Sequence, residues 1–256
     1  MGSCSERRSS VLARRVLHRA RIAGHDVARW PRCWRRRRSS PERISIHGVE
    51  LIVDHRVGPR VRQSLYSERY ERGEVFALLA HLDATDRVVE FGSGLGLLTI
   101  LAARRAGSHR VWSYEANPRL LPLIREHCRL NGVEPHLRHG AVGVGLGSAV
   151  LHLGEEHSSS SILEPATTAV RTVVPRLDAA EEVERFRPTF LVVDVEGGEA
   201  EIIPRIAWEG IDKLLLEIHP EVLPSGEEGR ILRHLSAQGL RVDRAVSSRR
   251  KKLLLR

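Results

Sequence analysis

The chain has little of several residue types, and each shortage excludes something. Its 256 residues include four Phe, four Trp, three Tyr and one Met. Few rings leave little for the aromatic platforms on which nucleic-acid bases stack. The three cysteines, Cys4, Cys33 and Cys128, are scattered and form neither a disulfide framework nor a metal-ligand spacing. Cys128 falls within a helical pattern and reads as core filling. No apolar run reaches the roughly 20 residues of a membrane helix. The N-terminus shows no signal-peptide hydrophobic stretch. A reducing, cytoplasmic setting is expected. Lysine occurs only at Lys213, Lys251 and Lys252, so arginine carries almost all the positive charge. That bias reads as genome composition rather than function.

The net charge of +9 is unevenly placed. Residues 1–40 carry twelve Arg against Glu6 and Asp26, a local charge of +10. Residues 249–256 add five more positive charges, which leaves residues 41–248 at −6. The body of the chain is therefore mildly acidic. Arg35 to Arg38 form a basic run, and Val11 to Ile22 has amphipathic helical spacing. The reading taken is a solvated, partly disordered extension, or residues upstream of the true start. Contact with nucleic acid or an anionic membrane through residues 1–40 is the alternative.

What is present is a strand–glycine–helix unit. Val88 and Val89 end a β-run, Glu90 follows, and Gly92, Gly94 and Gly96 come at alternate positions. Leu97 to Arg105 then has a helical pattern. In α/β proteins a strand turning through glycines into a helix N-terminus cradles a nucleotide-like cofactor. Dinucleotide folds want G-x-G-x-x-G, but the third glycine position here is Leu97. The (Asp/Glu)-x-Gly-x-Gly-x-Gly form resembles instead the first motif of class I S-adenosylmethionine (SAM) methyltransferases.

Three further segments sit in register with this loop. Arg110 to Tyr114 reads as a second strand, ending in Glu115, an acid placed to accept both ribose hydroxyls. Asn117 and Pro118 would open a helix to Leu130, closed at Asn131-Gly132. Phe190 to Val193 is a continuous apolar run, as a strand buried on both faces requires. It ends in Asp194, Val195, Glu196, Gly197, Gly198 and Glu199, with a short helix expected from Ala200 to Ile206. Lys213 to Ile218 would be a fourth strand, delivering Glu217, His219 and Pro220 to the same rim. Ligands of doubly wound sheets bind outside the carboxyl ends of the strands.

Taken together, EFGSGLG, YEANP (Tyr114 to Pro118), DVEGGE (Asp194 to Glu199) and LEIHP (Leu216 to Pro220) resemble the FkbM-type methyltransferases. Tyr70-Glu71 is a weaker upstream match, and the likeness runs from about residue 44 to about residue 220. Glu90 and Ser93 stand where that family often has Asp and Asn. The resemblance implies a Rossmann-like class I fold: a mostly parallel seven-stranded sheet flanked by helices, with an antiparallel C-terminal edge strand. It implies SAM-dependent O-methylation of a hydroxyl on a small molecule, sugar or secondary metabolite.

The expected cofactor contacts are Glu90, Gly92, Ser93, Gly94, Gly96, Glu115, Ala116, Asn117, Ala141, Val142 and Asp194. Ala141 and Val142 would wall the adenine, and Tyr70 and Glu71 would belong to the cap over the substrate. Methyl transfer to a hydroxyl needs alignment and a general base. The candidates are Asp194, Glu196 and His219, with His219 having the ordinary pKa best suited to neutral pH. A divalent cation held by Asp194 and Glu196 is a minority alternative, and no metal ligand is assigned. Glu199, in the first turn of a helix, is explained by the helix dipole alone.

The domain reading is a basic extension over 1–40, lead-in strands and a capping helix over 41–83, and the SAM-binding domain over 84–256. Two strands are expected around His47-Gly48, and a helix over Glu68 to Leu82. Gly140 to Leu153 is taken as a third sheet strand running into a hairpin. Ser158 to Ser161 is read as a polar loop. Leu240 to Ala245 and Lys251 to Leu255 are taken as the closing strands. Two rival functions remain. One is an RNA or DNA methyltransferase using the arginine tail, although the (Asp/Asn)-Pro-Pro-aromatic motif of base methylation is absent. The other is a non-catalytic SAM-fold interaction module, which would have no need of Glu115 and Asp194. No oligomeric state is read from the sequence.

Overall fold

The computed structural model describes residues 30–153 and 170–256. The amphipathic segment at 11–22 and the polar loop at 158–161 lie outside them. Of the expected extension, residues 30–39 are described and form a helix, α1. Two short strands follow, β1 (Arg43–Ile46) and β2 (Val49–Ile52), paired antiparallel about His47-Gly48. His47 and Gly48 both take the left-handed conformation that a tight turn requires.

The main sheet has seven strands: β3 (Val88–Phe91), β4 (Val111–Glu115), β5 (His136–His139), β9 (Phe190–Val193), β10 (Lys213–Glu217), β11 (Arg241–Val242) and β12 (Lys251–Leu255). Their order is β11-β12-β10-β9-β3-β4-β5. Strands β3, β4, β5, β9 and β10 are parallel, and β12 runs antiparallel to β10 with the two-residue β11 outside it. The chain builds outward from β3 to β5, then returns to lay β9 on the other side of β3. That reversal opens a crevice at the carboxyl ends of β3 and β9, where ligands of doubly wound sheets bind.

Alternation along the central strands feeds two cores. Val88, Phe190, Val192 and Leu215 join one cluster, while Val89, Phe91, Leu191, Val193, Leu214 and Leu216 join the other. Successive side chains of a strand point to opposite faces, so an unbroken apolar run serves both. The first face is covered by β1, β2, α2 (Pro59–Tyr66), α3 (Arg72–His81), α4 (Leu97–Ala106) and α5 (Leu121–Leu130). The second carries α6 (Ala179–Phe186), α7 (Glu199–Ile202) and α8 (Glu227–Ala237).

Four local expectations change. The third sheet strand is His136–His139, not the stretch from Gly140. As an outer strand it need not be apolar, so its polar sequence carries no strand signal. Gly140 onward leaves the sheet: β6 (Ala141–Gly143) and β7 (Gly147–Leu153) form a separate three-stranded sheet with β8 (Val170–Asp178). β8 contains Pro175, one residue before its pairing with β6 begins at Arg176. The helix expected from Pro118 begins at Leu121. Asn117 Oδ1 instead accepts the Arg119 N–H at 3.0 Å and fixes a turn over 118–120, with Pro122 in the first helical turn. The helix expected from Glu68 starts only at Arg72, because Glu68 and Glu71 are left-handed (φ 52° and 46°). No helix among the described residues is long and apolar enough to cross a membrane.

Candidate active site

Between β3 and α4 the chain turns on Gly92, Gly94 and Gly96, all with positive φ. A Cβ on Gly92 would lie 2.0 Å from the Asp194 carbonyl oxygen, and one on Gly94 would lie 2.6 Å from Tyr70 Oη. Gly96 packs against Ile124, where a Cβ would come within 2.8 Å. The first two glycines thus bring the loop against β9 and the cap, and the third lets α5 close on α4. Gly94 N–H donates to Glu115 Oε2 at 2.9 Å, and Asn117 N–H donates to Glu115 Oε1 at 2.8 Å. Glu115 is therefore clamped across the loop with lone pairs still facing the crevice. Burial pushes its pKa up to about 7, against the backbone N–H groups that favour its ionised form.

A cavity of about 320 Å³ lies over this loop. Gly92, Gly94, Glu115, Ala116, Ala141, Val142 and Asp194 line it, as do Glu196, Tyr70 and Glu71. Glu90, Ser93, Gly96, Asn117 and His219 are not among the lining residues. Glu90 is buried beneath the loop, where Ser113 Oγ donates to it at 2.6 Å and Thr99 Oγ1 also donates. Burial raises its pKa to about 7. Ser93 Oγ belongs to the same buried network, 2.6 Å from Ser113 Oγ. Asn117, fully buried, shapes the turn after Glu115. These residues support the turn of the loop from beneath rather than line the ligand-free cavity.

The cap is made by the corner between α2 and α3. Tyr70 Oη accepts the Leu95 N–H at 3.1 Å, so the cap is tied directly to the glycine loop. Burial, then repulsion by Glu90 and Asp194, pushes Glu71 up to about 8.

Behind the opposite wall, His219 is 4% exposed amid four carboxylates. Its Nδ1 lies 2.7 Å from Glu199 Oε1, and its Nε2 lies 3.3 Å from Glu196 Oε2, 3.7 Å from Asp194 Oδ1 and 3.9 Å from Glu217 Oε1. Burial opposes the imidazolium, but the Glu199 hydrogen bond and the neighbouring charges outweigh it and hold the pKa at about 9. The Glu199 hydrogen bond and the surrounding carboxylates thus favour the protonated ring at neutral pH. Burial first, then the like charges of Glu217 and Glu196, raises Asp194 well above the usual carboxylate range. Glu196 is raised for the same leading reason. Glu196 itself is left-handed, at φ 53°, in the DVEGG turn.

Asp194, Glu217 and His219 could each offer one ligand atom within 4.8 Å. One commitment competes with a metal there: Lys251 Nζ lies 3.5 Å from Glu217, whereas the Nδ1–Glu199 contact leaves His219 Nε2 on the side of Asp194 and Glu217.

Several lining residues are absent from the sequence expectations: Val57, Val61, Ser64 and Arg69 from the cap, and Glu74 and Lys251. Lys251 pairs with Glu74 and stands opposite Glu217 in the β10–β12 register. One signal was available, a lysine kept in a strand of a chain that otherwise uses arginine. The cavity lining counts six acids (Glu71, Glu74, Glu115, Asp194, Glu196, Glu217) against Arg69 and Lys251. A pyrophosphate would be repelled there, whereas a cationic cofactor is favoured.

The methyltransferase FkbM domain profile matches residues 90–241. The chain belongs to the FkbM methyltransferase family. No curated protein matches it. Among solved structures it is similar to a precorrin-6y C5,15-methyltransferase from Geobacter metallireducens GS-15 (15% identity, 68% of this chain and 74% of that one, TM-score 0.41). It is also similar to a ribosomal protein L11 methylase from Lactobacillus delbrueckii subsp. bulgaricus (11%, 73% and 77%, TM-score 0.44). A third is M. jannaschii TYW2 in complex with AdoMet (13%, 84% and 85%, TM-score 0.43). For this FkbM methyltransferase the glycine loop, Glu115 and the acid-lined cavity are consistent with a sulfonium cofactor: two glycines whose Cβ atoms would collide, a clamped carboxyl group and an excess of acidic over basic side chains.

Proposed function

We propose that this FkbM methyltransferase methylates a hydroxyl of a small molecule, sugar or secondary metabolite. The observation that carries the reading is one acid-lined cavity joining the glycine loop, Glu115 and the Asp194–Glu196 turn. SAM, when bound, supplies an electrophilic methyl group. Gly92 and Gly94 let the backbone approach it, Glu115 accepts from its ribose hydroxyls, and Ala141 and Val142 form the apolar wall. Tyr70 and Glu71 close the cavity from the cap side and exclude water.

Removal of the acceptor proton falls to the carboxylate pair Asp194 and Glu196. Their raised pKa values make them stronger bases than surface carboxylates. The His219 charge, paired with Glu199, opposes that rise and favours the ionised form of the neighbouring carboxylates. The setting is read as cytoplasmic, supported by scarce, scattered cysteines.

Calorimetry with SAM tests the cofactor, and mass spectrometry of hydroxylated acceptors incubated with SAM tests the reaction. A gain of one methyl on oxygen supports the reading; a methyl found only on nitrogen or carbon overturns the O-methyl assignment. Failure of SAM to bind overturns the whole of it.

A further inference from the structure

Helix α1 has two differently committed stripes. Arg32 and Arg36, one turn apart, face the body: Arg36 Nη1 is 2.8 Å from Glu68 Oε1 and Arg32 Nε is 3.3 Å from it. Arg36 also donates to the Ser45 carbonyl at 2.7 Å. The other stripe, at positions i, i+4 and i+8, is Trp30, Trp34 and Arg38. Trp30 is 73% and Trp34 is 53% exposed. Arg38 lies over the Trp34 ring at 4.9 Å, and Arg35, Arg37 and Arg38 are exposed.

The chain's other two tryptophans are treated differently. Trp208 is buried and donates to the Ile203 carbonyl, and Trp112 is stacked between His136 and Phe186. Large rings left in water on one face of a positively charged helix mark an interaction surface.

We infer that α1 seats the protein on an anionic phospholipid bilayer. Tryptophan suits the headgroup level, with its ring against the acyl boundary and its N–H in the wet layer. The exposed arginines complement anionic headgroups, within an N-terminal segment of charge +10. Single-stranded nucleic acid would want open ring faces for base stacking, and Arg38 already covers one face of Trp34. Anchoring through Arg32 and Arg36 keeps the stripe rigid, so it is ordered before contact. The same anchor residue, Glu68, lies two residues before Tyr70, and a seated α1 therefore holds the cavity's cap beside the membrane.

The test is co-sedimentation of the full chain with phosphatidylcholine vesicles, with and without phosphatidylserine. Binding is expected only with phosphatidylserine and should weaken as salt rises. A Trp30→Ala/Trp34→Ala double variant, its melting midpoint unchanged, should bind about tenfold more weakly or worse at the same net charge. Arg35→Gln/Arg38→Gln keeps both rings and should weaken binding about fivefold per charge removed. Three results would overturn the inference: no vesicle binding, binding unmoved by loss of both rings, or single-stranded RNA binding that depends on the tryptophans while vesicles are ignored.

Discussion

At Gly92 one missing atom decides whether the site exists. Its Cβ would sit 2.0 Å from the backbone carbonyl of Asp194, just after β9, and backbone cannot swing aside as a side chain can. The φ of 91° adds strain for any L side chain. Gly92→Ala is therefore expected to abolish measurable SAM binding by calorimetry, and unchanged affinity would show that the loop is not the cradle. Glu115→Ala tests the other contact. It removes a charged acceptor and also the clamp on the Gly94 and Asn117 N–H groups. Hydrogen bonds to charged groups are worth about 1.5–3 kcal/mol, so SAM affinity should fall about tenfold to a hundredfold. For His219 the decisive readout is a pH profile. Were it the base, His219→Gln would abolish turnover and its pH dependence together. As a cation supporting Asp194 and Glu196, its loss should lower the rate while the rise of activity with pH persists and shifts.

Elements show which parts of the fold were legible and why. β9 was readable to the residue because a central parallel strand must be apolar on both faces, and Phe190 to Val193 admits little else. The β1–β2 hairpin was equally plain from its alternation about His47-Gly48. β5 was not, since the outermost strand of the sheet tolerates His136 and Arg138 where a central strand would not. β8 was hidden by Pro175, which is tolerated because pairing with β6 begins only afterwards. The site divided in the same way. Residues at the strand ends were found from motif spacing, whereas the α2 wall and Lys251 depend on tertiary placement. Lys251 is also where an element can be broken by one change. It neutralises buried Glu74 and faces Glu217 across β10 and β12, so Lys251→Ala leaves Glu74 without its cation and leaves Glu217, of its two partners Lys251 and His219, with His219 alone. Such a loss costs on the order of 1–3 kcal/mol when the site is not fully buried. A lowered urea midpoint with an unchanged slope should report it, and an unchanged midpoint would mean that water already screens the pair.

The whole molecule carries an unusual balance of protons. Glu71 is pushed to about 8, Glu90 and Glu115 to about 7, and His219 to about 9, all above their ordinary values. A group whose pKa is higher folded than unfolded binds more protons in the native state. Its contribution is complete below the unfolded pKa and is lost as pH rises through the folded one. For the carboxylates the loss begins near pH 4–5 and ends near 7–8; for His219 it runs from about 6.5 to about 9. All four act in the same direction, so the ligand-free protein should melt at a progressively lower temperature between pH 5 and pH 9, by several degrees in all. Glu90→Gln isolates one contribution, because the amide oxygen still accepts from Ser113 and Thr99 but cannot ionise. The fall between about pH 5 and 7 should be shallower in that variant. A melting temperature that rises over this range, in wild type and variant alike, would mean that these carboxyl groups are ionised and solvated in the free protein. The cavity would then be more open to water than its geometry indicates.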